Sequence, residues 1–136
     1  MRFWLAVVLL GVGVGTSGCE PPTPPAEAPA EYNRLVQIAV SQAEARPDTS
    51  FFWLRNTGVA PARTLMLDLG IDQLRYDRSA DVLCVWRGEG LWPARGYVTA
   101  PSSGTISPDS VGTLCNIEGD CSAERTTDQW WQFECR

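Results

Sequence analysis

Any chemistry in this chain must come from thiols, carboxylates, arginines and aromatic rings, because its 136 residues include no His and every basic side chain is Arg. Without imidazole there is no Ser-His-Asp or Cys-His nucleophile pair and no histidine-ligated metal. Without Lys there is no Schiff base and no P-loop ammonium. The thiols are Cys19, Cys84, Cys115, Cys121 and Cys135. Five residues separate Cys115 from Cys121, wider than the roughly two to four of a zinc knuckle. No C-x-x-C occurs, so the spacing supports neither zinc nor thioredoxin-like redox chemistry. The expected state of Cys84, Cys115, Cys121 and Cys135 is therefore disulfide-bonded.

The acidic residues offer little more. Asp68, Asp72, Asp77, Asp81, Glu89, Glu118, Asp120 and Glu124 are scattered and form no recognisable acid/base pair of the glycosidase kind. Asp109, Glu118 and Asp120 carry the hard oxygens that Ca²⁺ prefers, but their spacing matches no calcium loop. Solvated turn acids are the better reading. No catalytic residue, no metal and no cofactor are expected, and the chain is predicted to act by binding. Trp92 and Trp130 are the candidate binding residues. Trp92 precedes Pro93 in a Gly-rich turn, while Trp130 alternates with Gln132 and Glu134 on the strand face opposite Trp131, Phe133 and Cys135. Exposed Trp beside polar groups suits stacking on a sugar or anchoring a protein contact. A net charge of −5 argues against a nucleic-acid or anionic-membrane surface, either of which would need a basic patch.

The elements that must position these residues lie in one domain over residues 32–136. Its texture is short β-rich runs separated by turn residues. Leu35–Ser41 fits a strand through Val36, Ile38 and Val40, although Tyr32, Leu35, Val36, Ala39 and Ala43 also fit a helix. The strand is preferred because its period takes in all the β-branched residues. Phe51–Asn56, aromatic on both faces, reads as a buried central strand. Thr64–Leu69 alternates with Leu65, Leu67 and Leu69 on one face. Val82–Arg87, Val111–Ile117 and Trp130–Cys135 complete the set, which predicts an all-β sandwich with disulfides. Four cysteines allow three pairings. Strand faces favour Cys84–Cys115 with Cys121–Cys135, the second across a hairpin turning near Thr126–Asp128. Cys84–Cys135 with Cys115–Cys121 is the alternative.

Two segments carry a resemblance. Phe51 to Ala62, with Asn56-Thr57-Gly58-Val59-Ala60-Pro61 at its centre, resembles the strand-turn motif of bacterial immunoglobulin-like surface domains of the CARDB type. Gly104-Thr105-Ile106-Ser107-Pro108-Asp109-Ser110-Val111 is similar to a second segment of that group, with Asp109 where the family has Gly. The resemblance implies an immunoglobulin-like fold and leaves the ligand open.

The N-terminus supplies an address. Arg2 precedes the apolar run Phe3–Val14, which is too short to span a bilayer but suits a signal-peptide core. Thr16-Ser17-Gly18-Cys19 resembles a bacterial lipobox, with Thr16 where Leu is usual. It implies residues 1–18 as signal peptide and a lipid thioether at Cys19. Cysteine parity agrees, since lipidation of Cys19 leaves four thiols to pair. Residues 19–31 hold five Pro between positions 21 and 29 and read as a polyproline tether of roughly 35 Å. Glu20 is not the Asp of inner-membrane retention. The expectation is an envelope lipoprotein, on the periplasmic face of the outer membrane in a two-membrane cell and otherwise on the cell surface. The domain would be a structural or protein-interaction module, or alternatively a carbohydrate- or peptidoglycan-binding one. A small carboxylate-dependent hydrolase is the least favoured reading.

Overall fold

The computed structural model describes residues 21–45, 50–54, 56–88 and 93–136. Helix α1 spans Pro29–Glu44 and buries Tyr32, Leu35, Ala39 and Ala43. These positions recur every three or four residues, which is the helical period. The predicted strand at Leu35–Ser41 is therefore a helix. Val36, Ile38 and Val40, which suggested the strand, are only half-buried. Their helix-propensity penalty is below about 0.7 kcal/mol each, whereas burying Tyr32 and Leu35 contributes about 1.5–3 kcal/mol per side chain. Tertiary burial decides.

Helix α2 spans Ala60–Leu69 and buries Ala62, Leu65, Met66 and Leu69. Pro61 lies in its first turn, and Gly70 ends it in the left-handed conformation with φ 73°. There the Gly70 N–H donates to the Leu67 carbonyl (3.2 Å) and the Ile71 N–H to the Met66 carbonyl (2.8 Å), the crossed pair of a Schellman cap. The predicted strand at Thr64–Leu69 is corrected accordingly. Pro early and Gly just past the end are helix punctuation.

Among the described residues, six strands form one antiparallel sheet in the order β1-β2-β3-β4-β6-β5. They are β1 Ser50–Leu54, β2 Gln73–Asp77, β3 Val82–Arg87, β4 Ala94–Thr99, β5 Cys121–Arg125 and β6 Trp131–Cys135. The β-rich, disulfide-bonded character is as expected, but the described residues make a single sheet with helices on it, not two facing sheets. The immunoglobulin-like sandwich is corrected to that extent. The aromatic strand β1 is an edge strand, not a central one. Asn56-Thr57-Gly58 follows it as a turn, with the Thr57 N–H on the Leu54 carbonyl (3.0 Å), and the chain then enters α2. The second resembling segment runs through a 3₁₀ turn, Pro108–Ser110, into the short helix α3, Val111–Cys115. No strand forms at Val111–Ile117.

Each sheet face has its own core. Trp53, Leu74, Tyr76, Leu83, Val85 and Tyr97 pack under α1 and α2. On the opposite face Val82, Trp86, Val98, Trp131 and Phe133 pack with Ile106, Val111 and Cys115. Gly96 on β4 has no room for a side chain, since a Cβ there would collide with the Val85 carbonyl and the Trp86 Cβ.

The Pro-rich stretch belongs to this fold. The Thr23 N–H donates to the Leu69 carbonyl (2.8 Å), and the Tyr32 hydroxyl donates to the Thr23 carbonyl (2.6 Å). Pro22, Pro25 and Ala28 are buried. From residue 21 onward the expected tether lies on the domain, so the folded unit begins before the predicted boundary at Tyr32. Proline tolerates this, because its missing N–H leaves fewer donors to satisfy on packing.

Candidate functional site

The predicted site residues fall into three groups. Cys84 bonds Cys115 (S–S 2.01 Å) and Cys121 bonds Cys135 (S–S 1.99 Å), the pairing favoured from strand faces. Cys121 and Cys135 stand directly opposite in the β5–β6 register. Cys19, Trp92 and Glu89, with the apolar run Phe3–Val14, lie outside the described residues.

Trp130 is the correction. It precedes β6 on the helical side of the sheet, but is only 4% exposed. The Tyr32 ring of α1 covers it edge-on, with ring centroids 5.0 Å apart. Trp130 stands opposite Trp131, as strand alternation predicts, but the helix over residues 29–44 covers it. Trp131 is also buried, on the other face.

The carboxylates hold turns. Asp81, itself left-handed at φ 55°, accepts the N–H groups of Ser102 (2.9 Å) and Ser103 (2.7 Å). Partial burial opposes its ionisation, but these donors outweigh that and hold its pKa below the ordinary value. Asp77 shows the same balance, with partial burial outweighed by the hydroxyl and N–H of Ser79 and the N–H of Ala80. Asp72 accepts the Gly88 N–H (3.2 Å). Asp109, Glu118 and Asp120 border one shallow groove, yet no group of three metal-ligating side chains assembles among the described residues.

One groove has the makings of a binding site. It occupies about 470 Å³ between α1 and the turn after β4, and among its walls are Asn33, Gln37, Ser102, Ser103, Gln129 and Trp130. α1 positions the two amides because Asn33 and Gln37 are one helical turn apart on the face away from the core. The Thr99 hydroxyl fixes the opposite wall by donating to the Gln129 carbonyl (2.5 Å). Every lining residue is uncharged, in a chain that carries 16 acidic side chains. Amides and hydroxyls both donate and accept hydrogen bonds without titrating near neutrality. Such walls can hold a neutral, hydroxyl-rich molecule. Sequence reasoning missed Asn33 and Gln37, and the signal that finds them is the helical reading of residues 32–43. The Tyr32 phenol borders a smaller adjoining groove; burial, with a smaller contribution from Tyr97, pushes its pKa up, so it remains a hydrogen-bond donor. No protein-family model, curated protein or solved structure matches the chain.

Proposed function

We propose that the chain is an exported bacterial envelope lipoprotein, anchored by lipid on Cys19, whose disulfide-bonded domain is a structural or protein-interaction module without catalytic activity. The observation that carries this reading is the closed pairing of Cys84 with Cys115 and of Cys121 with Cys135. None of the four is left to partner Cys19. In an exporting compartment an unmodified Cys19 would be a reactive leftover, whereas a thioether to lipid accounts for all five. The apolar run Phe3–Val14 and the small residues before Cys19 suit signal-peptide cleavage at that point. In a cell with two membranes the anchor belongs in the outer membrane, facing the periplasm. Mass spectrometry of the mature protein should find an acylated Cys19 at the N-terminus, and Cys19→Ser should leave the membrane fraction. A mature chain beginning elsewhere, or with an unmodified Cys19, refutes the proposal.

A second reading, a carbohydrate- or peptidoglycan-binding module, is favoured by the uncharged groove of Asn33, Gln37, Ser102 and Ser103. Trp92 remains the stacking candidate in this reading. A peptidoglycan co-sedimentation assay in which Asn33→Ala/Gln37→Ala loses binding while keeping its melting temperature supports it. Unchanged co-sedimentation refutes it.

A further inference from the structure

We infer that the lipid-anchored domain lies directly on the bilayer, with Arg63, Leu67 and Arg87 against the headgroups; this rests on the Cys19 anchor proposed above. The packing of residues 21–28 removes the tether. The Thr23 N–H bond to the Leu69 carbonyl and the Tyr32 hydroxyl bond to the Thr23 carbonyl pin the segment to the end of α2. Only Glu20 stands between Cys19 and Pro21. Two extended residue steps span at most about 7 Å, against the roughly 35 Å of a free polyproline stretch. A domain of this size has a radius of gyration of about 13 Å. So short a stalk holds the domain on the leaflet and fixes which side meets it.

The surface at that exit has the character of a headgroup contact. A side chain at position 70 would begin 3.9 Å from the Pro22 Cα and 3.9 Å from the Arg87 Nη1, so the chain leaves the domain beside a guanidinium. One helical turn before Gly70 is Leu67, which at 61% exposure is the most exposed large apolar side chain described. Another turn back is Arg63, also exposed. Residues three and four apart on a helix are neighbours on its surface, so Arg63, Leu67 and Gly70 follow one stripe. Acids accompany it, and Glu20 adjoins the anchor itself. Asp68 is the next residue along α2, about 100° round the helix from Leu67, and Asp72 is engaged by the Gly88 N–H. An exposed Leu flanked by arginines is the pattern that dips into the acyl boundary while cations meet phosphates. The other exposed large apolar residue among those described, Phe52, is on the opposite sheet face and is predicted to stay in water.

The test uses the mature chain from Cys19 with the four domain cysteines paired. Its Cys19 thiol is coupled to a maleimide phospholipid in vesicles of phosphatidylethanolamine and phosphatidylglycerol, so the attachment does not depend on cellular processing. Hydroxyl-radical footprinting then reads the oxidation rate of Leu67 relative to Phe52. Coupling should lower that ratio about threefold or more, as interfacial burial demands. A flexible Gly-Ser spacer of about 20 residues between Glu20 and Pro21 should return the ratio to that of the free protein. A coupled protein without the spacer whose Leu67 reacts as in solution overturns the inference. The two failures are separable: an unacylated Cys19 in cells refutes the anchor, while an unprotected Leu67 on coupled vesicles refutes the apposition.

Discussion

The two faces of the sheet are covered by different means. On one, α1 and α2 are 16 and 10 residues long, and the core beneath them contains no disulfide. On the other, the cover is the five-residue α3 and the coil before it. Both disulfides belong to this second side. Cys84–Cys115 ties α3 to the central strand β3, and Cys121–Cys135 staples the edge hairpin β5–β6. A helix of one turn is marginal by itself, because nucleation costs more than so few bonds return. Two longer amphipathic helices bury enough apolar surface to stay without covalent help. Disulfides stand where apolar cover runs out.

Removing that help should break the molecule more than any other change. Loop entropy assigns about 4 kcal/mol to the bridge spanning 31 residues and about 3 kcal/mol to the one spanning 14. Together they approach the whole stability of a small domain, about 5–15 kcal/mol. Replacing all four cysteines with Ala should leave a chain without a cooperative urea transition. Cys84→Ala/Cys115→Ala alone should lose more than Cys121→Ala/Cys135→Ala. The reverse order would show that α3 holds its place without the bond.

The helical face breaks through packing instead. Trp130→Ala should cost about 3–5 kcal/mol, the range for a buried Trp, because it removes the ring on which Tyr32 rests. Urea unfolding of the variant measures this. A loss within about 0.5 kcal/mol, ordinary for a surface position, would return Trp130 to the solvent.

The asymmetry between the faces also sets what could be read from the sequence. The disulfide side was legible in part: Val82–Arg87 and Trp131–Cys135 are strands and the favoured cysteine pairing is the observed one, but the strand face assigned to Cys115 does not exist, because Val111–Cys115 is α3. Strand period is two, so a short run suffices to assign a face. The helical side was not legible in the same way. Val36, Ile38 and Val40 satisfy a strand period while Tyr32, Leu35, Ala39 and Ala43 satisfy a helical one, and only the sheet beneath decides between them. In Thr64–Leu69 the three leucines alternate by coincidence, and Leu67 is left outside the core. The groove residues Asn33 and Gln37 were hidden by the same ambiguity. Proline content suggested extension for residues 21–29, but composition carries no information about a surface able to receive them.

The smallest expected effect lies in the non-covalent tie that supplements the disulfides. Asp81, in the turn between β2 and β3, reaches across to the N–H groups of Ser102 and Ser103 and so fixes the start of the coil that covers the thinner face. Despite partial burial, those N–H donors hold the Asp81 pKa below its ordinary value in the folded protein. A depressed carboxylate pKa contributes stability above the unfolded pKa of about 3.9, and that stability is lost as pH falls through the folded value. Asp81→Asn keeps an acceptor oxygen and a residue that tolerates positive φ, so the geometry survives while the charge goes. At pH 7 the variant should be less stable by about 1 kcal/mol, the scale of one hydrogen bond's net contribution. Urea midpoints of both proteins, compared at pH 7 and again well below pH 3, should show the gap closing in acid, because protonated Asp81 then resembles Asn. A gap of equal size at both pH values would mean that shape, not charge, makes this tie, and that the thinner face depends on its disulfides alone.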